Sequence, residues 1–167
     1  MQSLKLVSLG AMLVMGASLS MAQNDSNGLT VAGVWRVRVT PEVPPGAPVP
    51  TLFEVAMYSK DGSFTSSADT ALPPIPPVQA IGTQRGVAVG NYIRVGGREF
   101  RLTFYAPILN NGSVTGFMKV TDTIVLTADG NEYDGHALVE FLYADLSVGF
   151  VTSGRAHGSR LQTPEHP

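Results

Sequence analysis

The stretch that decides the fold is "GVWRVRVTP", Gly33 to Pro41. Trp35, Val37 and Val39 alternate with Arg36, Arg38 and Thr40, the period of two of a β-strand with one face buried. The apolar set belongs inside and the arginines belong in water. Gly33 lacks a side chain, so another group can approach the tryptophan closely. The same texture continues on both sides of this stretch. Short runs of Val, Ile, Thr, Phe and Tyr are broken by Gly, Pro, Asn and Asp, and no helical period of useful length appears. This pattern predicts an all-β barrel or sandwich.

Eight strands are expected, at about 32–40, 51–59, 62–68, 86–95, 98–106, 114–128, 131–143 and 148–161. Three connections are tight: "SKDGS", "VGGRE" and "TADGNE" carry Asp-Gly or Gly-Gly, which supply the positive φ of hairpin turns. The other four read as longer loops: "PEVPPGAPVP", "TALPPIPPVQAIGTQ", "PILNNGS" and "ADLSVG". In an up-and-down sheet successive connections alternate between ends. The expected architecture is therefore a single eight-stranded antiparallel up-and-down barrel. One end carries the tight turns and the other the long Pro-rich loops, where binding usually occurs on such a scaffold.

The barrel domain is placed at 31–161. Before it, Lys5, an apolar run from Leu6 to about Ala17 and Ser20-Met21-Ala22 have the layout of a secretory signal peptide over residues 1–22. The apolar run is shorter than the roughly 20 residues of a membrane-spanning helix, so no span is expected in the mature protein. Residues 23–30 read as a flexible linker and 162–167 as a disordered tail. Cleavage after Ala22 leaves 145 of the 167 residues, enough for one domain with a real core. The expected location is the periplasm or the cell exterior. There is no cysteine, so no disulfide staples the fold.

Charge excludes some classes. A formal net charge of −2 gives no basic footprint for nucleic acid. His136, His157 and His166 show no paired metal-ligand spacing, no cofactor motif is present, and no G-x-S-x-G supports a nucleophilic serine. Charged residues make up only 14% of the chain, a sparse surface that favours self-association into a homo-oligomer.

Here the residues reach a resemblance. The G-x-W of "GVWRV" resembles the first-strand signature of the calycins, which include lipocalins and avidins. The longer stretch from Gly96 to Phe141 is similar to a pattern of exported bacterial proteins of unassigned function, barrels of the lipocalin or allene-oxide-cyclase type. The calycin resemblance implies a basic residue of the last strand packed across Trp35. Arg155 and Arg160 are candidates, and Arg160 fits because the last strand ends where the first begins. Gly33, Trp35 and Arg160 are thus read as structural.

Sorting strands by face gives the candidate site. The apolar side of the 98–106 strand is Phe100, Leu102 and Phe104, with Tyr105 opposite. Tyr133, Ala137, Val139 and Phe141 form that side on the 131–143 strand. On the second strand Phe53, Val55 and Met57 are expected inward, with Glu54 among the charged residues facing out. The expected ligand-binding set is Val39, Phe53, Val55, Tyr92, Phe104, Tyr105, Val139 and Phe141, with the tyrosines near the open mouth. Such a lining suits a small apolar ligand, or a barrel packed full.

Asp122 is the one catalytic candidate. It falls in the alternating set Met118, Val120, Asp122, Ile124, Leu126. Facing inward it would be a carboxylate in an apolar cavity with a raised pKa, able to act as acid or base. A bulge near "KVTDT" that turns it to solvent is the favoured expectation. The function expected is non-enzymatic binding of a small hydrophobic ligand at the Pro-rich open end, or a structural role in the envelope. The alternative is an allene-oxide-cyclase-like or isomerase-type enzyme using Asp122 and a tyrosine. A third is an oligomer built through the outer sheet faces.

Overall fold

The computed structural model describes residues 28–42, 51–68 and 71–162. The expected signal peptide, most of the linker, the loop of residues 43–50 and the last five residues lie outside the described residues. Nine strands follow one another: β1 (Gly33–Glu42), β2 (Leu52–Tyr58), β3 (Ser63–Ala68), β4 (Gln84–Arg85), β5 (Ala88–Arg94), β6 (Glu99–Asn110), β7 (Ser113–Leu126), β8 (Glu132–Tyr143) and β9 (Val148–Arg160). A single helical turn, α1 (Pro76–Gln79), precedes β4.

Eight of the strands form a closed antiparallel ring. Starting at β1, the chain passes through β2, β3, β5, β6, β7, β8 and β9, and β9 pairs with β1 again. Each strand neighbours the next in sequence, so the barrel is up-and-down, and closure leaves no unpaired sheet edge. β4 stands outside the ring, adding Gln84 and Arg85 to the end of β6 opposite Leu109 and Ile108.

Pairing register fixes which side chains enter the core, because directly opposed residues project from the same face. Trp35 and Val37 of β1 are fully buried. Their β2 partners are Ala56 and Glu54, while Arg36 and Arg38 lie opposite Val55 and Phe53. This reverses the expected faces of β2. Glu54 and Ala56 point inward, and Phe53 and Val55 are each 51% exposed on the outer wall. Both alternating sets of β2 contain apolar residues, so periodicity alone left the choice open. Pairing with the two arginines settles it, since their aliphatic stems can lie along apolar neighbours while the charge stays in water.

The tight-turn end is sealed as an aromatic floor. Trp35 packs against Tyr133 at a centroid distance of 4.9 Å and Tyr58 at 6.5 Å, and its Nε1 donates to the Val31 carbonyl at 2.8 Å. The Arg160 guanidinium lies 4.4 Å from the Trp35 ring centroid. It also donates to the carbonyls of Ala32 (2.6 Å), Thr30 (2.6 Å) and Gly130 (3.0 Å). A cation over an indole contributes roughly 0.5–2 kcal/mol. The three carbonyls tie the incoming chain, the first strand and the β7–β8 turn together.

Gly33 makes this arrangement possible. Its φ is +142°, and an added Cβ would stand 2.5 Å from Arg160 Nη1. Gly33→Ala is expected to lower the unfolding free energy by about 1–3 kcal/mol in denaturant titration. A change below about 0.5 kcal/mol would show that Arg160 does not depend on this glycine.

The opposite end is covered rather than open. The segment from Ala71 to Val87 folds across it, burying Pro73, Val78, Ile81 and Arg85. Prolines restrict what this stretch can adopt when unfolded, which lowers the entropy lost in ordering it. Two expected long loops are short: β6 and β7 join through Asn111 and Gly112, with φ of +50° and +79°, and β8 and β9 join through the four residues 144–147. "PILNNGS" is thus mostly strand with an Asn-Gly hairpin turn.

Candidate functional site

Between the aromatic floor and the cap lies a cavity of about 90 Å³. Its wall includes Val37, Val39, Phe104, Val120, Val139 and Phe141, and the cap contributes Ala71, Leu72, Pro73, Ile75 and Arg85. Small residues on β9 help to leave this space: Gly154 and Ala156 line it where larger side chains would fill it. Just below, an added Cβ on Gly158 would lie 2.2 Å from the Tyr133 ring, so that glycine seats the floor.

Of the expected ligand-binding residues, Val39, Phe104, Val139 and Phe141 line the cavity. Phe53, Val55 and Tyr105 do not. The first two face outward as described. Tyr105 is 43% exposed and sits opposite Lys119 and Val89 on the outer surface. Tyr92 is at the closed end, not the mouth. Its hydroxyl donates to the Ser59 carbonyl at 2.6 Å and its ring meets Tyr58 edge-on at 5.4 Å. Tyr58 and Tyr133 themselves border the cavity, with their hydroxyls 3.2 Å apart. Burial pushes both phenols above their ordinary pKa, so both remain neutral.

The cavity is not purely apolar. Glu54, Arg85 and Asp122 are its charged lining, and they are the only charged side chains buried among the described residues. Arg85 reaches down from β4. Its Nη2 donates to Glu54 Oε2 at 3.1 Å and to Ser66 Oγ at 3.0 Å, and Ser66 Oγ donates to Glu54 Oε2 at 3.2 Å. The guanidinium also lies 5.7 Å from the Phe104 ring centroid. A buried charge is tolerated only when paired and hydrogen-bonded, and this triad meets that condition. It also fastens the cap to the barrel wall.

Asp122 meets it only partly. It is 5% exposed and faces inward, so no bulge turns it to solvent. The β6–β7 register runs unbroken past it, from Glu99 opposite Val125 to Ile108 opposite Gly116. Space for the carboxylate comes from Gly135 on β8, where an added Cβ would stand 2.9 Å from both of its oxygens. Burial raises its pKa from 3.8 to about 6, the Thr123 backbone N–H lowers it, and the nearby Glu54 charge raises it again. Two polar atoms in this lining, Asp122 Oδ1 and Arg85 Nε, have no hydrogen-bond partner among the described residues.

No family model, no curated protein and no solved structure matches this chain. A group holding a metal ion would need three or more clustered ligands of the His, Cys, Asp and Glu types, and none is found among the described residues. The site offers apolar walls, one neutralised ion pair, one carboxylate of raised pKa, and a donor and an acceptor left unpaired.

The sequence reading missed Glu54, Ser66 and Arg85. One signal was present: Glu54 is the sole charge between Glu42 and Lys60, and Arg85 the sole cation between Lys60 and Arg94. An isolated charge in an apolar stretch of a sparsely charged chain is a candidate for burial with a partner.

Proposed function

We propose that this chain is an exported calycin-type barrel that holds one small molecule in the capped cavity without transforming it. The observation that carries the reading is a largely apolar space under the 71–87 segment whose lining includes a buried donor and a buried acceptor without hydrogen-bond partners among the described residues. Buried polar atoms are almost always satisfied, so such a pair points to a bound group. The Gly33, Trp35 and Arg160 arrangement supports the calycin assignment. The layout around Lys5 and Ala22 supports export to the periplasm or beyond.

Size bounds the ligand. At about 10–15 Å³ for each water-sized group, the cavity holds roughly six to nine such groups. Drug-sized sites begin at about 300 Å³, so the ligand is a short chain or single ring. Pentanol is a suitable probe. Isothermal calorimetry should detect its binding to the wild type, and Ala156→Leu, which fills the cavity, should abolish it while circular dichroism still reports the barrel. Equal binding by the folded variant would move the ligand out of the cavity.

One observation favours a second reading. A carboxyl with a pKa near 6 in an apolar pocket is suited to accept and return a proton, as an isomerase-type enzyme would require. Loss of a measured turnover in a folded Asp122→Asn variant would support it.

A further inference from the structure

We propose that the ligand carries a protonated amine, and that its ammonium group pairs with Asp122. This inference rests on the cavity-binding reading and assigns the ligand's chemical class.

Charge is unevenly matched across the barrel. β2 and β7 stand four strands apart in either direction around the ring, so Glu54 and Asp122 project from opposite walls. The cap delivers one cation to this space, and Arg85 gives it to Glu54. Two carboxylates and one guanidinium leave a deficit of one positive charge, located at Asp122. Its Oδ1 is buried and unpaired among the described residues, and Asp122 is part of the cavity lining. The neighbouring tyrosine hydroxyls are already engaged with each other.

A carboxylate in this setting takes a cation or a proton, since an unpaired buried charge is costly. A divalent metal would need more carboxylate or imidazole ligands than the described residues gather there. An ammonium on a short apolar body needs only one carboxylate. Its other hydrogens can face the aromatic faces of Tyr58, Tyr133 or Phe141, which attract cations. An anionic ligand fits worse. It would meet two carboxylates, and the one guanidinium is already neutralised by Glu54. Arg85 Nε needs only a neutral acceptor, such as a hydroxyl or carbonyl on the same ligand.

Three nearly isosteric probes decide the point: pentylamine, pentanol and butyrate, each titrated by calorimetry at neutral pH into the wild type and Asp122→Asn. The expected result is pentylamine binding at least about tenfold tighter than pentanol to the wild type, no detectable binding of butyrate, and loss of the amine preference in Asp122→Asn. A second readout is independent of the variant's folding. Carbon-13 NMR of the wild-type Asp122 carboxyl should show its titration moving to lower pH when pentylamine is present. The groups to be followed in parallel are Glu54, Arg85, Tyr58 and Tyr133, which line the cavity with Asp122, and His136 on the outer face of the neighbouring strand, whose charge also acts on Asp122.

Pentanol binding without an amine preference would overturn the amine assignment and leave the binding reading intact. So would a preference for butyrate, or an amine preference that survives in Asp122→Asn. Failure of all three probes to bind would overturn both readings.

Discussion

Arg85→Met should lower the midpoint of thermal unfolding by about 10 °C or more. The guanidinium is 8% exposed and holds both Glu54 and Ser66. Removing one member of a buried ion pair leaves the other charge without its counter-ion, at a cost of about 3–5 kcal/mol. For a domain of this size each kcal/mol is worth a few degrees. The cost arises from the orphaned carboxylate, so removing Glu54 as well should recover much of it. Glu54→Leu combined with Arg85→Met is expected within about 2 kcal/mol of the wild type, since apolar replacements of a buried pair are often close to neutral. Calorimetric melts of the two single variants and the double variant test this directly. A double variant as unstable as the sum of the singles would mean that the two groups act independently.

Asp122→Asn should be more stable than the wild type at pH 8 and no more stable at pH 4. Burial raises the folded-state pKa of Asp122 from 3.8 to about 6. Between these values the folded protein holds a proton that the unfolded chain has released. The folded state is therefore favoured by this group below pH 4, and the advantage is lost as pH rises through about 6. At about 1.36 kcal/mol for each pH unit between 3.8 and about 6, the wild type carries a penalty of about 3 kcal/mol above pH 7. Asparagine has no charge to desolvate and escapes it.

Acid also weakens the fold through Glu42 and Asp129. Ser153 and Arg155 hold Glu42 at about 2, and Thr127 and Asn131 hold Asp129 at about 2. Their stabilisation is lost only as pH falls toward those values, and both proteins share it. The difference between wild type and variant thus isolates Asp122. Urea unfolding of the pair across pH 4–8 measures it. A wild type more stable than Asp122→Asn at pH 8 would show that the carboxylate is already fully paired.

The ring was legible in the sequence because its strands announce themselves by alternation and three of its turns by Asp-Gly and Gly-Gly; the Asn-Gly turn inside "PILNNGS" reads as a longer loop. Trp35 and Arg160 could be placed together because the calycin resemblance implies a basic residue over the tryptophan, and the topology brings the start of β1 and the end of β9 to the same end. The face of β2 could not be read. Phe53, Val55 and Met57 look like a core set, and only pairing with Arg36 and Arg38 reveals them as outer. The same reversal hid Glu54, and with it the ion pair.

Arg85 was hidden for a different reason. It lies in a stretch read as a loop over an open mouth, whereas Ile81 and Val78 bury themselves to make it a cap. A long loop says nothing in sequence about where it crosses. Asp122 had the correct phase for the interior, but a charge at an apolar position argued for a bulge. What the sequence could not show was Gly135 on β8, opposite Ile124 and diagonal to Asp122, which leaves the carboxylate room to stay inside.

The binding proposal places a small molecule in the space between the aromatic floor and the cap. Methyl-resolved NMR during a pentanol titration tests it most directly. The account predicts saturable shifts at the inward methyls of Val37, Val39, Val120, Ala137 and Ala156, with Val55, Val89 and Val151 on the outer wall unmoved. Shifts confined to the outer wall, or no shifts at the inward methyls, would contradict it.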